Sequence, residues 1–168
     1  MSHAVAEERP VAHGDALNLI RAEIAEAPGP AAAAQQAVEL LHDRFGHYDW
    51  VGIYWVEGGD LVLGPWTGPE ATEHTRIAIG TGVCGAAAAS GQTEIVPDVS
   101  LDPRYLACFA STQSEIVVPI FADAEVVGEI DIDASHADAF DDTDARFLEE
   151  VAALLAPLRP RASPAYPA

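Results

Sequence analysis

Ser114-Glu-Ile-Val-Val-Pro-Ile-Phe121 and Val126-Val-Gly-Glu-Ile-Asp-Ile-Asp133 read as two apolar strands joined through Ala122-Asp123-Ala124. Side chains alternate across a strand, so Ile116, Val118 and Ile120 must share a buried face with Ile130 and Ile132. An odd-length connection brings this about. The same register sends Glu115, Asp131 and Asp133 to the opposite face, with Glu129 farther toward the hairpin end. Carboxylates side by side on neighbouring strands repel, at up to about 1 kcal/mol for an exposed pair, and the repulsion raises at least one pKa. That face is either a solvated polar surface or a place for a cationic or proton-demanding ligand, with one acid kept protonated as a donor.

Working backwards, Gly80-Thr-Gly-Val-Cys84-Gly-Ala-Ala-Ala-Ala-Ser-Gly91 is a small-residue turn leading into a helix near Gly82. A short strand, Glu94 to Val96, and a long loop, Pro97 to Thr112, complete the approach to the hairpin. Both cysteines of the protein lie in this stretch. Cys84 falls where free amides and the helix dipole lower a thiol pKa, which favours reactivity. Cys108 sits in a loop delivered straight into the strand that starts with Glu115. There the acids raise its pKa unless they are protonated or hold a cationic group.

The remaining elements fit one domain, residues 15–156, between a loose arm (1–14) and a disordered, proline-rich tail (157–168). A helix from Asp15 to Glu26 carries Leu17, Leu19, Ile20 and Ile24 on one side and stops at Pro28-Gly-Pro30. A second runs from Ala31 to about Arg44. Asp49-Trp-Val-Gly-Ile-Tyr-Trp-Val56 and Leu61-Val-Leu63 flank Gly58-Gly59 as a β-hairpin, with Trp50 and Tyr54 on one strand face and Val51, Ile53 and Trp55 on the other. Thr75 to Ile79 suggests a third strand, and Asp141 to Leu155 a terminal helix with acids at its N-terminus. The sum is an α+β domain with a mainly antiparallel sheet and helices on one side. No Gly-x-Gly-x-x-Gly or Walker sequence supports a nucleotide fold.

The net charge is −19, with eight arginines and no lysine, which turns away nucleic acid and anionic membranes as partners. The apolar runs are too short to span a bilayer and the N-terminus has no apolar signal core, so the expected location is cytoplasmic. Two cysteines without Cys-x-x-Cys or His/Cys ligand spacing make neither a disulfide framework nor a metal centre, and no cofactor is called for.

Trp50-Val-Gly-Ile-Tyr54, Leu61-Val-Leu-Gly-Pro-Trp66, Gly82-Val-Cys-Gly85, Val96-Pro-Asp98, Leu106-Ala-Cys108, Ser114-Glu-Ile-Val-Val-Pro119 and Asp131-Ile-Asp133, in that order and spacing, resemble the GAF-domain free methionine-(R)-sulfoxide reductases. The resemblance covers about Tyr48 to Leu155. It implies a GAF fold, a six-stranded antiparallel sheet flanked by helices, and commonly a homodimer. It implies further that Cys108 is the nucleophile that becomes a sulfenic acid, and that a second cysteine, here Cys84, resolves it as a disulfide for thioredoxin or another thiol to reduce. Glu115, Asp131 and Asp133 would hold the substrate ammonium and supply a proton, and Trp50 and Tyr54 would bound the methyl group. One position departs from the better-known members: His74 stands where they have a third cysteine, which leaves Cys84 alone to resolve. The competing expectation is a stand-alone GAF module that binds a small ligand or senses redox state without catalysis. Cyclic nucleotides are disfavoured by the Phe140-Asp141-Asp142 context and by the net charge.

Overall fold

The computed structural model describes residues 3–161. Its sheet runs β3-β2-β1-β6-β5-β4, every neighbour antiparallel: β1 (Trp50–Glu57), β2 (Asp60–Thr67), β3 (Arg76–Ala78), β4 (Glu94–Val96), β5 (Ser114–Ala122) and β6 (Glu125–Ala134). Helices α1 (His3–Glu26), α2 (Pro30–Arg44) and α4 (Asp142–Leu155) close the main core on one face, around Val51, Ile53, Ile116, Val118, Ile120, Ile130 and Ile132. The helices are not confined to that side. Helix α3 (Gly82–Ser90) lies on the other face, over a smaller core that holds Trp50, Tyr54, Cys84 and Val117. Its run of glycine and alanine carries no amphipathic stripe from which a side could be read. The small residues let it sit close: a Cβ on Gly85 would come within 2.7 Å of the Ala78 carbonyl oxygen.

The central hairpin has the expected face assignment. Glu115 lies opposite Asp133, Ile116 opposite Ile132 and Val117 opposite Asp131. The odd step comes from two devices together. Asp123 and Ala124 form a two-residue turn, both with positive φ (51° and 66°), and the register then shifts between Ile120 and Phe121, leaving Val127 without a partner. The turn sets a tight hairpin; the bulge moves the acids to the α3 side.

The two ends of the chain differ from expectation. Residues 3–14, read as a loose arm, are the first half of α1, despite Pro10 and Gly14. Proline and glycine inside a helix are ordinarily destabilising, and tertiary contacts offset them here. Arg9 pairs with Asp141 (2.9 Å) and Asp144 (3.4 Å), and the His13 ring stacks on Phe147 at 4.4 Å. The buried stripe of α1 is accordingly His13, Ala16, Leu17 and Ile20, while Leu19, counted as apolar-facing, is exposed. At the other end, Ala156–Leu158 forms a 3-10 turn whose Leu158 packs on the main core, so the tail begins later than Pro157. Residues 162–168 of the expected tail lie outside the described residues.

Candidate active site

The α3 face of β5 and β6 carries four carboxylic acids in a space closed to water. Glu115 is 4 % exposed, Glu129 0 %, Asp131 1 % and Asp133 3 %. The solvated-surface alternative is thereby overturned: α3 and the Pro97–Gln113 loop cover what a bare sheet would leave wet. Glu115 Oε2, both oxygens of Glu129, Asp131 Oδ1 and Asp133 Oδ1 have no hydrogen-bond partner in the protein. A buried carboxylate without partners is strongly disfavoured as an anion. All four pKa values are raised, first by burial; the Asp131 charge adds to the effect on the other three. A cation placed among them would lower these pKa values again.

Cys84 projects from the first turn of α3 into this set. Its Sγ donates to Glu115 Oε1 at 3.8 Å, and one ligand atom each of Cys84, Glu115 and Asp131 lie within 4.8 Å of one another, a spacing that accommodates an organic ammonium or a metal ion. The helix N-terminus was expected to lower the Cys84 pKa. The opposite holds: burial, then Asp131, Glu129 and Glu115, push the thiol well above its ordinary value. Helix α3 offers its first turn, but three carboxyls and the loss of water outweigh its amides.

Cys108 is half-buried at the edge of the same space, its Sγ 3.5 Å from the Leu106 carbonyl oxygen. Burial, with Asp131 and Asp133 behind it, raises this thiol to about 12, while Thr72 acts in the lowering sense. Both sequence-identified thiols and all three sequence-identified acids thus converge on one region, from α3, the long loop, β5 and β6.

The walls come from β1 and β2. The Trp50 ring stacks on Trp66 (centroids 6.1 Å apart, 15° between planes) and tilts against Phe109 at 5.7 Å. Gly52 makes this possible, since a Cβ there would meet the Trp50 ring at 2.3 Å. Tyr54 is fully buried on the same face, and its hydroxyl donates to the His74 carbonyl oxygen at 2.7 Å. His74 therefore has a place in the architecture. Its backbone N–H donates to Thr72 Oγ1 (3.0 Å) and its Nε2, as the N–H tautomer, donates to the Ala107 carbonyl (3.3 Å), next to Cys108. Farther along the loop, Arg104 bridges Glu94 on β4 and Asp102. Phe109 and the backbone role of His74 carry no signal in a single sequence, because each depends on a contact made across the fold. Two wider grooves, about 670 and 900 Å³, run beside Trp55 and Arg159; neither contains a cysteine or any of the four acids.

A GAF domain family profile matches residues 29–157. The chain belongs to the GAF family. It is 42 % identical over 121 residues to protein YtsP of Bacillus subtilis, covering 71 % of this chain and 73 % of that one. It is 38 % identical over 116 residues to the free methionine-R-sulfoxide reductase of Escherichia coli, covering 69 % of each. Its fold matches the free methionine-R-sulfoxide reductase of Neisseria meningitidis, solved in complex with its substrate, with a TM-score of 0.81 at 39 % identity over 87 % of each chain. These likenesses place it with the free methionine-(R)-sulfoxide reductase group of GAF proteins, as the quoted motifs implied. Among the described residues no helix is long and apolar enough to cross a membrane.

Proposed function

We propose that the protein reduces free methionine-(R)-sulfoxide to methionine, with Cys108 as nucleophile and Cys84 as resolving thiol. The observation that supports this most is the convergence of a buried and a half-buried free thiol on buried carboxyls that keep oxygens without a hydrogen-bond partner. Glu115, Asp131 and Asp133 are suited to the substrate's ammonium, whose charge satisfies the oxygens that the protein leaves bare. One of them, still protonated, gives its proton to the sulfoxide oxygen as Cys108 sulfur attacks the substrate sulfur, and a proton from the Cys108 thiol replaces it. The hydroxyl then passes from the substrate sulfur to the Cys108 sulfur: the substrate S–O bond and the S–S bond made by the attack break, a Cys108 S–O bond forms, and methionine leaves with Cys108 as the sulfenic acid. Trp50 and Tyr54 supply an apolar wall for the methyl group.

The raised thiols fit a site that is quiescent when empty. An ammonium bound among the acids places a positive charge beside Cys108, which favours its thiolate when substrate is present. Cys84 then attacks the sulfenic sulfur, and thioredoxin or another thiol reductant clears the disulfide. The reading includes a cytoplasmic protein that forms a homodimer.

The testing experiment is methionine release from free methionine-(R)-sulfoxide with dithiothreitol or thioredoxin, in wild type, Cys108→Ser and Cys84→Ser. The expected result is no release by Cys108→Ser and release by Cys84→Ser with dithiothreitol alone. A wild type inactive with both reductants overturns the reading in favour of a GAF module that binds a small ligand or senses redox state.

A further inference from the structure

Among the described residues, one group of side chains has the spacing of a metal centre. It is Cys84, Glu115 and Asp131, with one ligand atom from each lying within 4.8 Å of the others. They come from α3, β5 and β6, so no local ligand spacing along the chain announces them. All three are buried, at 6 %, 4 % and 1 % exposure. Glu115 Oε2 and Asp131 Oδ1 have no hydrogen-bond partner in the protein, and Cys84 Sγ stands 3.8 Å from Glu115 Oε1. Zinc bonds of about 2.3 Å to sulfur and about 2.0 Å to a carboxylate oxygen, at a tetrahedral angle, hold the two ligand atoms about 3.5 Å apart. A small side-chain shift closes the difference.

We propose that Cys84, Glu115 and Asp131 form a binding site for a divalent cation of the zinc type. One thiolate and two carboxylates bring three negative charges to the ion. The sulfur favours zinc over magnesium or calcium, which prefer oxygen alone. Three protein ligands leave a fourth position for water. Binding makes bonds from the ion to the Cys84 sulfur and to an oxygen of each carboxylate, and sends the Cys84 proton, with any proton on the two carboxyls, to solvent. Nothing is oxidised or reduced. Cys108 stays outside the ligand set. The site stands on geometry; its effect on turnover rests on the reductase reading. There the ion takes two of the acids that would hold the substrate ammonium and ties up the sulfur that would resolve the sulfenic acid. Metal and substrate therefore exclude each other, and the ion is an inhibitor rather than a cofactor.

The test is titration of the reduced, reductant-free full chain with Zn²⁺, followed by calorimetry, and with Co²⁺, followed by absorption. The variants are Cys84→Ser, Asp131→Asn and Cys108→Ser. The wild type is expected to bind one ion per chain, with a sulfur-to-cobalt charge-transfer band in the near ultraviolet. Cys84→Ser should lose the band. Both it and Asp131→Asn should weaken Zn²⁺ by more than the roughly 10- to 100-fold that loss of an outer-shell partner costs. Cys108→Ser should keep band and affinity. In the wild type, Zn²⁺ should also shield one thiol from a maleimide, identified as Cys84 by peptide mass spectrometry, a readout that needs no variant to fold. Methionine release in a single turnover should fall in proportion to Zn²⁺ bound and return with a chelator, while excess Mg²⁺ does neither. A band that survives Cys84→Ser, shielding of Cys108 in place of Cys84, or Mg²⁺ binding as tight as Zn²⁺ overturns the assignment. Methionine release undiminished at full Zn²⁺ occupancy overturns it as well. Zn²⁺ held on Cys84 by a wild type that releases no methionine even without metal supports the site and removes the reductase reading alone. Methionine release by a wild type that binds no Zn²⁺ removes this inference alone.

Discussion

Asp144, on the helix-rich side of the sheet, is as completely buried as the four acids on the α3 side, yet its carboxyl is pushed the other way. Burial raises its pKa, but the approach of His13 Nε2 (3.4 Å) and His47 Nε2 (3.9 Å), with hydrogen bonds from the Asp141 backbone N–H and the Tyr48 hydroxyl, outweighs that and holds it well below the ordinary carboxylate range. Arg9 adds a cation at 3.4 Å. Asp144 also completes a capping box with Asp141 at the start of α4. The acids across the sheet have no such company. Burial is common to both sets; the supply of donors differs. An anion furnished with donors is part of the scaffold, and a carboxyl denied them is ready for a ligand or a proton.

The largest effect that would sharpen this contrast is on the thiol side. Cys108→Ser should reduce methionine release to background while leaving the urea midpoint close to wild type, because a half-buried sulfur is exchanged for an oxygen at the rim. Asp144→Ala should do the converse. Losing the acceptor for Tyr48 and for the α4 cap is expected to cost about 2–3 kcal/mol in urea unfolding, with activity per folded molecule retained. If Asp144→Ala abolished turnover at full folding, the division between the two sides would fail.

Next in size is Asp133→Asn, which keeps shape and removes a charge. Losing a charge-assisted contact to the substrate ammonium should raise KM roughly 10- to 100-fold, with stability unchanged or improved at alkaline pH. Equal KM values in the two proteins would take Asp133 out of the binding set.

The smallest effect is in the pH dependence of stability, read as the melting temperature from pH 3 to 9. Site acids with folded pKa values above their unfolded ones leave stability whole below the unfolded values, 4.5 for Glu129 and 3.8 for Asp133, and withdraw it as pH rises toward the folded values. Asp144 has the reverse sign: its contribution is present above 3.8 and lost as pH falls. A dome is expected, with Asp133→Asn flattening the alkaline limb and Asp144→Asn the acid limb. If either substitution flattened the other limb, the assignment of charge states would be wrong.

Much of this was legible in the chain itself, wherever a period of two was at work. The partition of Glu115, Asp131 and Asp133 from Ile116, Ile130 and Ile132, and of Trp50 and Tyr54 from Val51 and Ile53, follows from alternation and needs no knowledge of the fold. What escaped depends on partners distant in sequence. His3 to Gly14 looks unstructured because Pro10 and Gly14 are local breakers, while the contacts of Arg9 and His13 with α4 are not local. Cys84 looks activated by its helix, while the carboxyls that reverse its pKa arrive on other strands. Glu129 was noticed only as an acid nearer the turn, since nothing in its neighbourhood along the chain says that it is fully buried.

The extra residue at Val127 has a consequence for how such a hairpin can change. Because the faces of β6 relative to β5 depend on whether the count between them is odd or even, losing one residue there would exchange the isoleucines and the acids between the two sides of the sheet. Losing or gaining two would leave the assignment intact. Descendants of this gene are therefore expected to tolerate hairpin length changes in pairs and to be eliminated by single ones, so that insertions and deletions at this point obey an even-number rule unrelated to the identity of the residues involved.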